Sequence, residues 1–132
     1  MHNRVVDLGD FFSDEEEKFL TDKIIAHDIN STNQIAILTI DFLPEGIEII
    51  DFGSEVGNAW GVGQADKDNG LLIVLSKSDR ELAISTGYGT EKILTDSICQ
   101  GIIDYTIIPK FKNNEYYIGI DNALDTIIKK WH

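Results

Sequence analysis

The pattern of hydrophobic and polar positions divides the chain into alternating extended and helical segments. Two short apolar runs rich in β-branched residues, at 35–40 and 71–75, are typical of buried strands, and a third strand is predicted over 81–86. Apolar residues at steps of three and four predict four helices. These helices begin near Asp14, Ile49, Thr95 and Asn114. The order of the segments predicts an α/β fold.

The first helix has a clear start signal. Ser13-Asp14-Glu15-Glu16 is a capping box, in which the serine hydroxyl and the glutamate three residues later satisfy free backbone amides. It begins a helix predicted over 14–27, with Leu20, Ile24 and His27 on the buried side. The run of acids at this position is therefore expected to be a solvated helix start.

The third predicted helix begins at Thr95 or Asp96. Leu94, Ile98, Ile102 and Tyr105 stand at helical spacing and are expected on its buried side. Pro109 is expected to mark its end, because proline interrupts helical hydrogen bonding.

The connections between the strands set their directions. Lys77-Ser78-Asp79 is too short for a crossover, so strands 71–75 and 81–86 form an antiparallel hairpin. Strands 35–40 and 71–75 are joined through a helix, which favours a parallel pair. We therefore expect a mixed sheet in one domain of residues 1–132, a length that suits a single core.

The chain is strongly acidic, with 23 Asp and Glu residues against 11 Lys and Arg residues and a formal charge of −12. This charge repels phosphate backbones and attracts cations or basic surfaces, so we expect no nucleic-acid partner. No apolar run approaches the roughly 20 residues that span a bilayer, and the N-terminus lacks a secretory signal pattern. We expect no membrane insertion, and a soluble, cytoplasmic chain unless a signal peptide has been removed.

The familiar signatures of enzymes and nucleotide-binding loops are missing. Cys99 lies among isoleucines on a predicted helix, so we expect a buried thiol rather than a nucleophile. Two histidines are terminal and His27 falls at the end of a helix, which leaves no Ser-His-Asp arrangement. Gly61-Val62-Gly63 and Gly87-Tyr88-Gly89 lack the further residues of dinucleotide or phosphate loops.

The predicted hairpin brings together loops that are distant in the sequence. The amino end of strand 71–75 lies beside the carboxyl end of strand 81–86, so residues 66–70 are expected next to residues 87–91. With strand 35–40 parallel to 71–75, the segment around Asp7 and Asp10 is also expected within reach of this edge.

Up to five acids gather at this edge on glycine-rich backbone. Crowded carboxylates repel one another unless protons or a cation neutralise them. Oxygen ligands without a clear histidine or cysteine favour calcium, or magnesium, over zinc. We therefore predict a divalent cation site, and a solvated acidic rim held by glycine turns is the alternative. The acids are Asp7, Asp10, Asp66, Asp68 and Glu91, and the flanking residues are Trp60, Gly61, Gly63, Asn69, Gly87, Tyr88 and Gly89.

Short motifs occur in order along nearly the whole chain. They are Val6-Asp7 ahead of Ser13-Asp14-Glu15-Glu16, then Gln34-Ile35-Ala36-Ile37, Trp60-Gly61-Val62-Gly63, Asp68-Asn69-Gly70-Leu71-Leu72-Ile73, Asp79-Arg80, Gly87-Tyr88-Gly89-Thr90-Glu91 and Ile108-Pro109-Lys110-Phe111. As an ordered set they resemble the TPM domain family, named for thylakoid-lumen, photosystem II repair and acetylcholine-receptor-modulating proteins. The resemblance implies a three-layer α/β/α sandwich with a mixed, mostly parallel sheet that contains one antiparallel hairpin strand.

The resemblance also implies a metal site at the acidic loops, which holds calcium in members studied structurally. Carried over by position, the best candidate ligands are Asp66, Asp68 and Glu91, followed by Asp7 and Asp10. We therefore expect a domain that binds Ca²⁺, or Mg²⁺, and is not an enzyme.

Two alternatives remain open from the sequence. Acid phosphatase activity has been attributed to a plant member of the family, which suggests a metal-dependent phosphomonoesterase with Arg80 as the phosphate clamp. Arg80, however, begins strand 81–86 and is expected at the edge opposite the acids. The second alternative is a protein-interaction module that uses the acidic face, or Trp60 and Tyr88, to bind an unknown protein partner.

Overall fold

The structure of the protein is a computed structural model that describes residues 3–63 and 67–132. Its sheet consists of β1 (Val5–Asp7), β2 (Gln34–Ile40), β3 (Gly70–Ser76) and β4 (Glu81–Thr86), which lie side by side in that order. The first three strands are parallel, and β4 is antiparallel to β3. The predicted mixed, mostly parallel sheet with one antiparallel hairpin strand is therefore confirmed.

Helices cover both faces of the sheet. They are α1 (Asp14–Ser31), α2 (Ile49–Trp60), α3 (Tyr88–Glu91), α4 (Asp96–Ile102), α5 (Ile108–Lys112) and α6 (Tyr116–Lys130). On one face, Ile49 of α2 joins Leu38 of β2 in a buried cluster. On the other face, Leu20 of α1 and Ile127 of α6 join Ile73 of β3 in a larger one. The three-layer α/β/α sandwich is thus confirmed.

Helix α1 begins at the predicted capping box. Ser13 Oγ accepts from the Glu16 amide at 3.1 Å, and Glu16 Oε1 accepts from the Ser13 amide at 2.9 Å. The buried residues are Leu20, Ile24 and His27, as predicted. None of the helices in the described part of the chain is long and apolar enough to cross a membrane.

The expectation that Pro109 ends the third helix is wrong. A π-helical segment, Ile103–Ile107, joins α4 to α5, and Pro109 lies in the first turn of α5, where a missing N–H costs least. The wider π turn shifts the buried face, so that Ile107 follows Ile102 inside after a step of five residues. Tyr105, predicted to be buried, is 85% exposed for the same reason.

The sheet has two ends that carry different loops. We call the end formed by Gln34, Gly70 and Thr86 the amino end, after β2 and β3, which begin there. The opposite end, formed by Asp7 and Ser76, is called the carboxyl end. Strand β1 was not predicted, because a run of three residues is too short to show the alternation of a strand.

Candidate functional site

Two glycines allow the loop after α2 to cross the start of β3 at the amino end. A side chain on Gly70 would overlap the carbonyl group of Val62, and Gly63 has a φ of +93° that favours glycine. The Gly63 amide donates to Gln34 Oε1 at 2.9 Å, which ties the loop to the start of β2. Gly61 caps α2 with a φ of +64°.

The loop before β3 lies against the loop after β4, as the hairpin predicted. The amides of Gly89 and Thr90 donate to the Asp68 carbonyl at 3.0 and 3.2 Å. A side chain on Gly87 would overlap that carbonyl oxygen, and one on Gly89 would overlap the Lys67 carbonyl oxygen. The close approach of the two backbones therefore depends on both glycines.

Buried polar groups hold this arrangement to the rest of the fold. Asn69 is buried, and its Nδ2 donates to the Thr32 carbonyl at 2.8 Å. The Asn69 carbonyl accepts from the Gln34 amide at 3.0 Å. The buried Thr90 hydroxyl donates to the Gly70 carbonyl at 2.9 Å. These bonds satisfy backbone groups at the loop crossing and fix its geometry.

Two of the predicted acids lie on these neighbouring segments, Asp68 in the loop before β3 and Glu91 at the end of α3. Asp68 has a positive φ of 48°, and both Asp68 and Glu91 are exposed. Neither carboxylate has a hydrogen bond or ion pair to another described residue. Asp66, the third acid predicted at this end, lies outside the described residues. Within residues 3–63 and 67–132, no group of three or more His, Cys, Asp or Glu side chains is arranged to hold a metal ion.

Asp7 and Asp10 lie at the carboxyl end, so the expectation that they come within reach of Asp68 and Glu91 is wrong. Asp7 is the last residue of β1 and pairs with Thr39. Thr39 lies five positions along β2 from Gln34, which is roughly 16 Å at the usual rise of a strand. The error arose because the sequence did not reveal β1, which carries Asp7 to the far end of the sheet.

The Asp7 carboxylate has a structural role at that end. It accepts from the amides of Phe11 and Phe12, both at 2.9 Å, and from the Thr39 hydroxyl at 2.5 Å. Asp10 has a φ of 54°, and its carbonyl accepts from Lys77 Nζ at 3.1 Å. The carboxylate of Asp7 therefore folds the segment between β1 and α1 into place.

A cleft of about 370 Å³ opens beside the amino-end loops. It lies between α2 and the end of β4, and both Asp68 and Tyr88 line it. Gly53 brings α2 close to β4, because a side chain there would contact Ser85 Oγ at 2.5 Å. The sequence contained a signal for this cleft in the glycines of α2, which pack the helix closely. Tyr88 is 78% exposed at the cleft, and Trp60 is half-buried against the α2 face of the sheet.

Neither Cys99 nor His27 lines the cleft beside Asp68. Cys99 is buried on α4, and burial raises the pKa of its thiol to about 11, with a smaller contribution from Asp96. Burial lowers the pKa of His27 on α1. Arg80 precedes β4 and so lies at the carboxyl end, opposite Asp68 and Glu91. The amino end therefore offers carboxylates and backbone carbonyls, which are oxygen donors.

Comparison with known proteins relates the chain to one family. The TPM domain family model matches residues 5–130. The solution NMR structure of the N-terminal domain of a protein from P. gingivalis is 27% identical, with a TM-score of 0.84 over 96% of this chain and 80% of that chain. No curated protein matches this chain.

Two further solved structures share the fold at lower identity. The N-terminal domain of the cg2496 protein from Corynebacterium glutamicum is 13% identical, with a TM-score of 0.76 over 99% of this chain and 81% of that chain. The BA42 protein from the psychrophilic bacterium Bizionia argentinensis is 20% identical, with a TM-score of 0.77 over 93% of this chain and 87% of that chain. Since the family model covers every helix and strand that the structure describes, this protein belongs to the TPM domain family.

Proposed function

We propose that this TPM domain binds a divalent cation, calcium or else magnesium, at the amino end of the sheet. The supporting observation is that Asp68, before β3, and Glu91, at the end of α3, present exposed carboxylates on two segments joined through the Asp68 carbonyl. Neither carboxylate has a partner among the described residues. A divalent cation bound by both carboxylates would supply the positive charge that balances them.

Asp66 completes the proposed ligand set. Its place in the set comes from the resemblance to the family, carried over by position, since it lies outside the described residues. Calcium takes about six to eight oxygens, so backbone carbonyls and water supply the remaining positions. Asp7 and Asp10 have no part in this site, because they lie at the other end of the sheet.

We also propose that the domain binds its ion without catalysing a reaction. The Thr90 hydroxyl near the proposed ligands is buried and already donates to the Gly70 carbonyl. Cys99 is buried on α4, and burial raises the pKa of its thiol, which keeps it protonated at neutral pH. A binding site built from oxygen donors on fixed loops agrees better with these features than an active site does.

Calcium titration of ¹⁵N-labelled protein, together with calorimetry, tests the proposal. We expect saturable binding with a Kd below about 1 mM, the weak end of known calcium modules. The resonances that move should belong to residues 67–70 and 87–91. Titration with Mg²⁺ under the same conditions identifies the preferred ion. Absence of saturable binding, or shifts confined to the carboxyl end, would contradict the proposal.

A metal-dependent phosphomonoesterase is the enzymatic alternative. Arg80, the phosphate clamp predicted for such an enzyme, lies at the opposite end of the sheet from Asp68 and Glu91. Hydrolysis of p-nitrophenyl phosphate with Ca²⁺, Mg²⁺ or Mn²⁺ distinguishes the two functions. If turnover depends on the metal and disappears in Asp68→Asn, the protein is an enzyme and the proposal of a binding function alone is wrong.

A protein-interaction role is a second candidate, which one observation favours. The Tyr88 ring is 78% exposed beside the cleft at the amino end, next to the proposed ion site. Pull-down with and without calcium tests it, with Tyr88→Ser as the variant. Tyr105→Ser is the matched control, because Tyr105 is 85% exposed on the π-helical segment. If both variants capture the protein partner equally well, Tyr88 does not take part in the interaction.

A further inference from the structure

A second pocket, of about 720 Å³, lies at the carboxyl end of the sheet. It is formed by the β3–β4 hairpin on one side and by the π-helical segment, α5 and α6 on the other. We call it the carboxyl-end pocket. Its volume is within the range typical of small-molecule sites. In open α/β sheets, ligands bind outside the carboxyl ends of the parallel strands, which is where this pocket lies.

The carboxyl-end pocket is lined by three of the 11 basic residues in a chain whose formal charge is −12. Lys77 and Arg80 come from the hairpin turn, and Lys112 comes from α5. Glu81 is the one acid among the residues that line it. The local charge is therefore opposite in sign to that of the whole molecule, which favours an anion here.

These cations retain free hydrogen-bond donors. The side chains of Arg80 and Lys112 have no hydrogen bond or ion pair to another described residue. Lys77 Nζ donates to the Asp10 carbonyl at 3.1 Å and lies 5.0 Å from the centre of the Phe11 ring. An ammonium group carries three donors, so Lys77 still has two for a ligand. A guanidinium group adds a planar fork that matches a carboxylate or a phosphate.

One wall of the carboxyl-end pocket is aromatic. Tyr116 meets Phe11 and Phe111 edge to face, at 5.1 and 5.0 Å between ring centres. Phe11 and Phe111 stack at 6.3 Å. All three rings line the pocket. A preformed cluster of this kind accepts a further ring in a stacked or edge-on arrangement without reordering its own side chains.

Two local irregularities border the same pocket. Arg80 has a φ of +53°, a left-handed conformation that glycine adopts at much lower cost. The π-helical segment, which contributes Ile103 to the lining, is a conformation found often at functional sites. An arginine in a backbone conformation that suits glycine points to a role for its side chain.

We propose that the carboxyl-end pocket binds a small organic anion that consists of an apolar ring and a carboxylate or phosphate head group. Arg80, Lys77 and Lys112 hold the head group, and the rings of Phe11, Phe111 and Tyr116 hold the apolar part. This site is separate from the proposed calcium site, at the other end of the sheet.

Titration of ¹⁵N-labelled protein with benzyl phosphate and with phenylacetate tests the proposal and separates the two head groups. Benzyl alcohol supplies the ring without charge, and inorganic phosphate supplies the charge without a ring. We expect saturable shifts at the carboxyl end with a Kd below about 5 mM for at least one organic anion, and weaker binding of both controls. If benzyl alcohol binds as well as both organic anions, or if no probe moves these resonances, the proposal is wrong. EDTA in all samples keeps the result independent of calcium.

Arg80→Gly is the decisive variant, because glycine suits the backbone at this position. We expect it to weaken binding of the organic anion by about fivefold or more while the melting temperature holds or rises. Lys92→Gln is the matched control, since it removes one exposed cation near the amino end, and its Kd should stay within about twofold. Equal losses in the two variants would mean that overall charge, and not this pocket, attracts the anion.

Discussion

Asp68 and Asp10 adopt the same left-handed backbone conformation, with φ of 48° and 54°, at opposite ends of the sheet. Both are exposed, and Asp68 precedes β3 while Asp10 precedes α1. Asparagine tolerates this conformation as readily as aspartate does. The Asp→Asn change at either position therefore removes one charge and leaves the local backbone unstrained.

The two positions form a matched pair for the calcium proposal. Asp68→Asn should weaken calcium binding by about fivefold or more, because it removes a charged ligand. Asp10→Asn should leave the Kd within about twofold, because a charge at the far end of the sheet is screened by salt. Calorimetry at about 0.15 M salt measures both. Equal effects would show that calcium responds to the total charge of the protein.

Asp7→Ala is expected to affect stability and not calcium binding. The Asp7 carboxylate accepts three hydrogen bonds, and its loss leaves two backbone amides and the Thr39 hydroxyl without that acceptor. We expect the free energy of unfolding to fall by about 1–3 kcal/mol. Urea denaturation measures the loss, and calcium titration of the folded variant provides the second readout. If Asp7→Ala lowers the calcium affinity and leaves the free energy of unfolding unchanged, Asp7 is a ligand of the ion and not a structural residue.

Gly70→Ala should disrupt the loop crossing at the amino end. The added methyl group would overlap the Val62 carbonyl, which is backbone and not free to rotate away. We expect the free energy of unfolding to fall by about 1–3 kcal/mol or more. Gly101→Ala is the control, because nothing lies within 4 Å of the added methyl group. Because Gly101 lies in helix α4, this control substitution should raise the free energy of unfolding by about 0.5–1 kcal/mol. If urea denaturation shows equal losses for the two variants, the close approach of Gly70 to the Val62 carbonyl is not what destabilises Gly70→Ala.

His27 should make the free energy of unfolding depend on pH between about 7.5 and 5.5. It is buried beside the Trp131 ring, and its Nε2 has no partner among the described residues. Burial lowers its pKa, while Asp28 opposes and His132 reinforces this shift. In the unfolded chain the His27 imidazole binds a proton near pH 6.5, whereas in the folded protein it binds a proton only at lower pH. Stability is therefore full above 6.5 and is lost as the pH falls toward the lower folded pKa.

His27→Leu should remove this part of the pH dependence. The variant should gain stability relative to the native protein as the pH falls from 7.5 to 5.5, because leucine binds no proton. Urea denaturation at three pH values in this range measures the difference in the free energy of unfolding between the two proteins. Titration of the carboxylates affects both proteins alike and therefore cancels in this difference. If the difference in free energy of unfolding stays constant across the range, His27 does not titrate as described.

Most of the fold was predictable because the signals are local. The apolar runs of β2 and β3 and the short turn between β3 and β4 defined the strands and their directions. The capping box located the start of α1. Strand β1 was not predicted because its three residues adopt an extended conformation by pairing with β2. Pairing between distant segments leaves no local pattern in the sequence.

The candidate site was predictable only in part. The prediction that residues 67–70 lie beside residues 87–91 is confirmed, because antiparallel pairing of β3 and β4 determines which strand ends are adjacent. The position of Asp7 depended on the undetected strand, so it was placed at the wrong end. The carboxyl-end pocket was not predicted, because Lys77, Arg80 and Lys112 meet there only through tertiary packing.

The π-helical segment makes the carboxyl-end pocket depend on chain length as well as on side chains. A π turn holds about one residue more than an α turn, so deleting one residue within Ile103–Ile107 would restore regular α-helical bonding. The rest of the helix would then keep its orientation relative to α4, because a step of four residues in an α turn replaces a step of five in the π turn. A deletion within α4 itself would instead rotate the residues that follow by about 100°, and Phe111 and Lys112 would turn away from Arg80. In a related chain, a one-residue gap within the π-helical segment is therefore compatible with the pocket, whereas a one-residue gap in α4 would mark its loss even where every lining residue is retained.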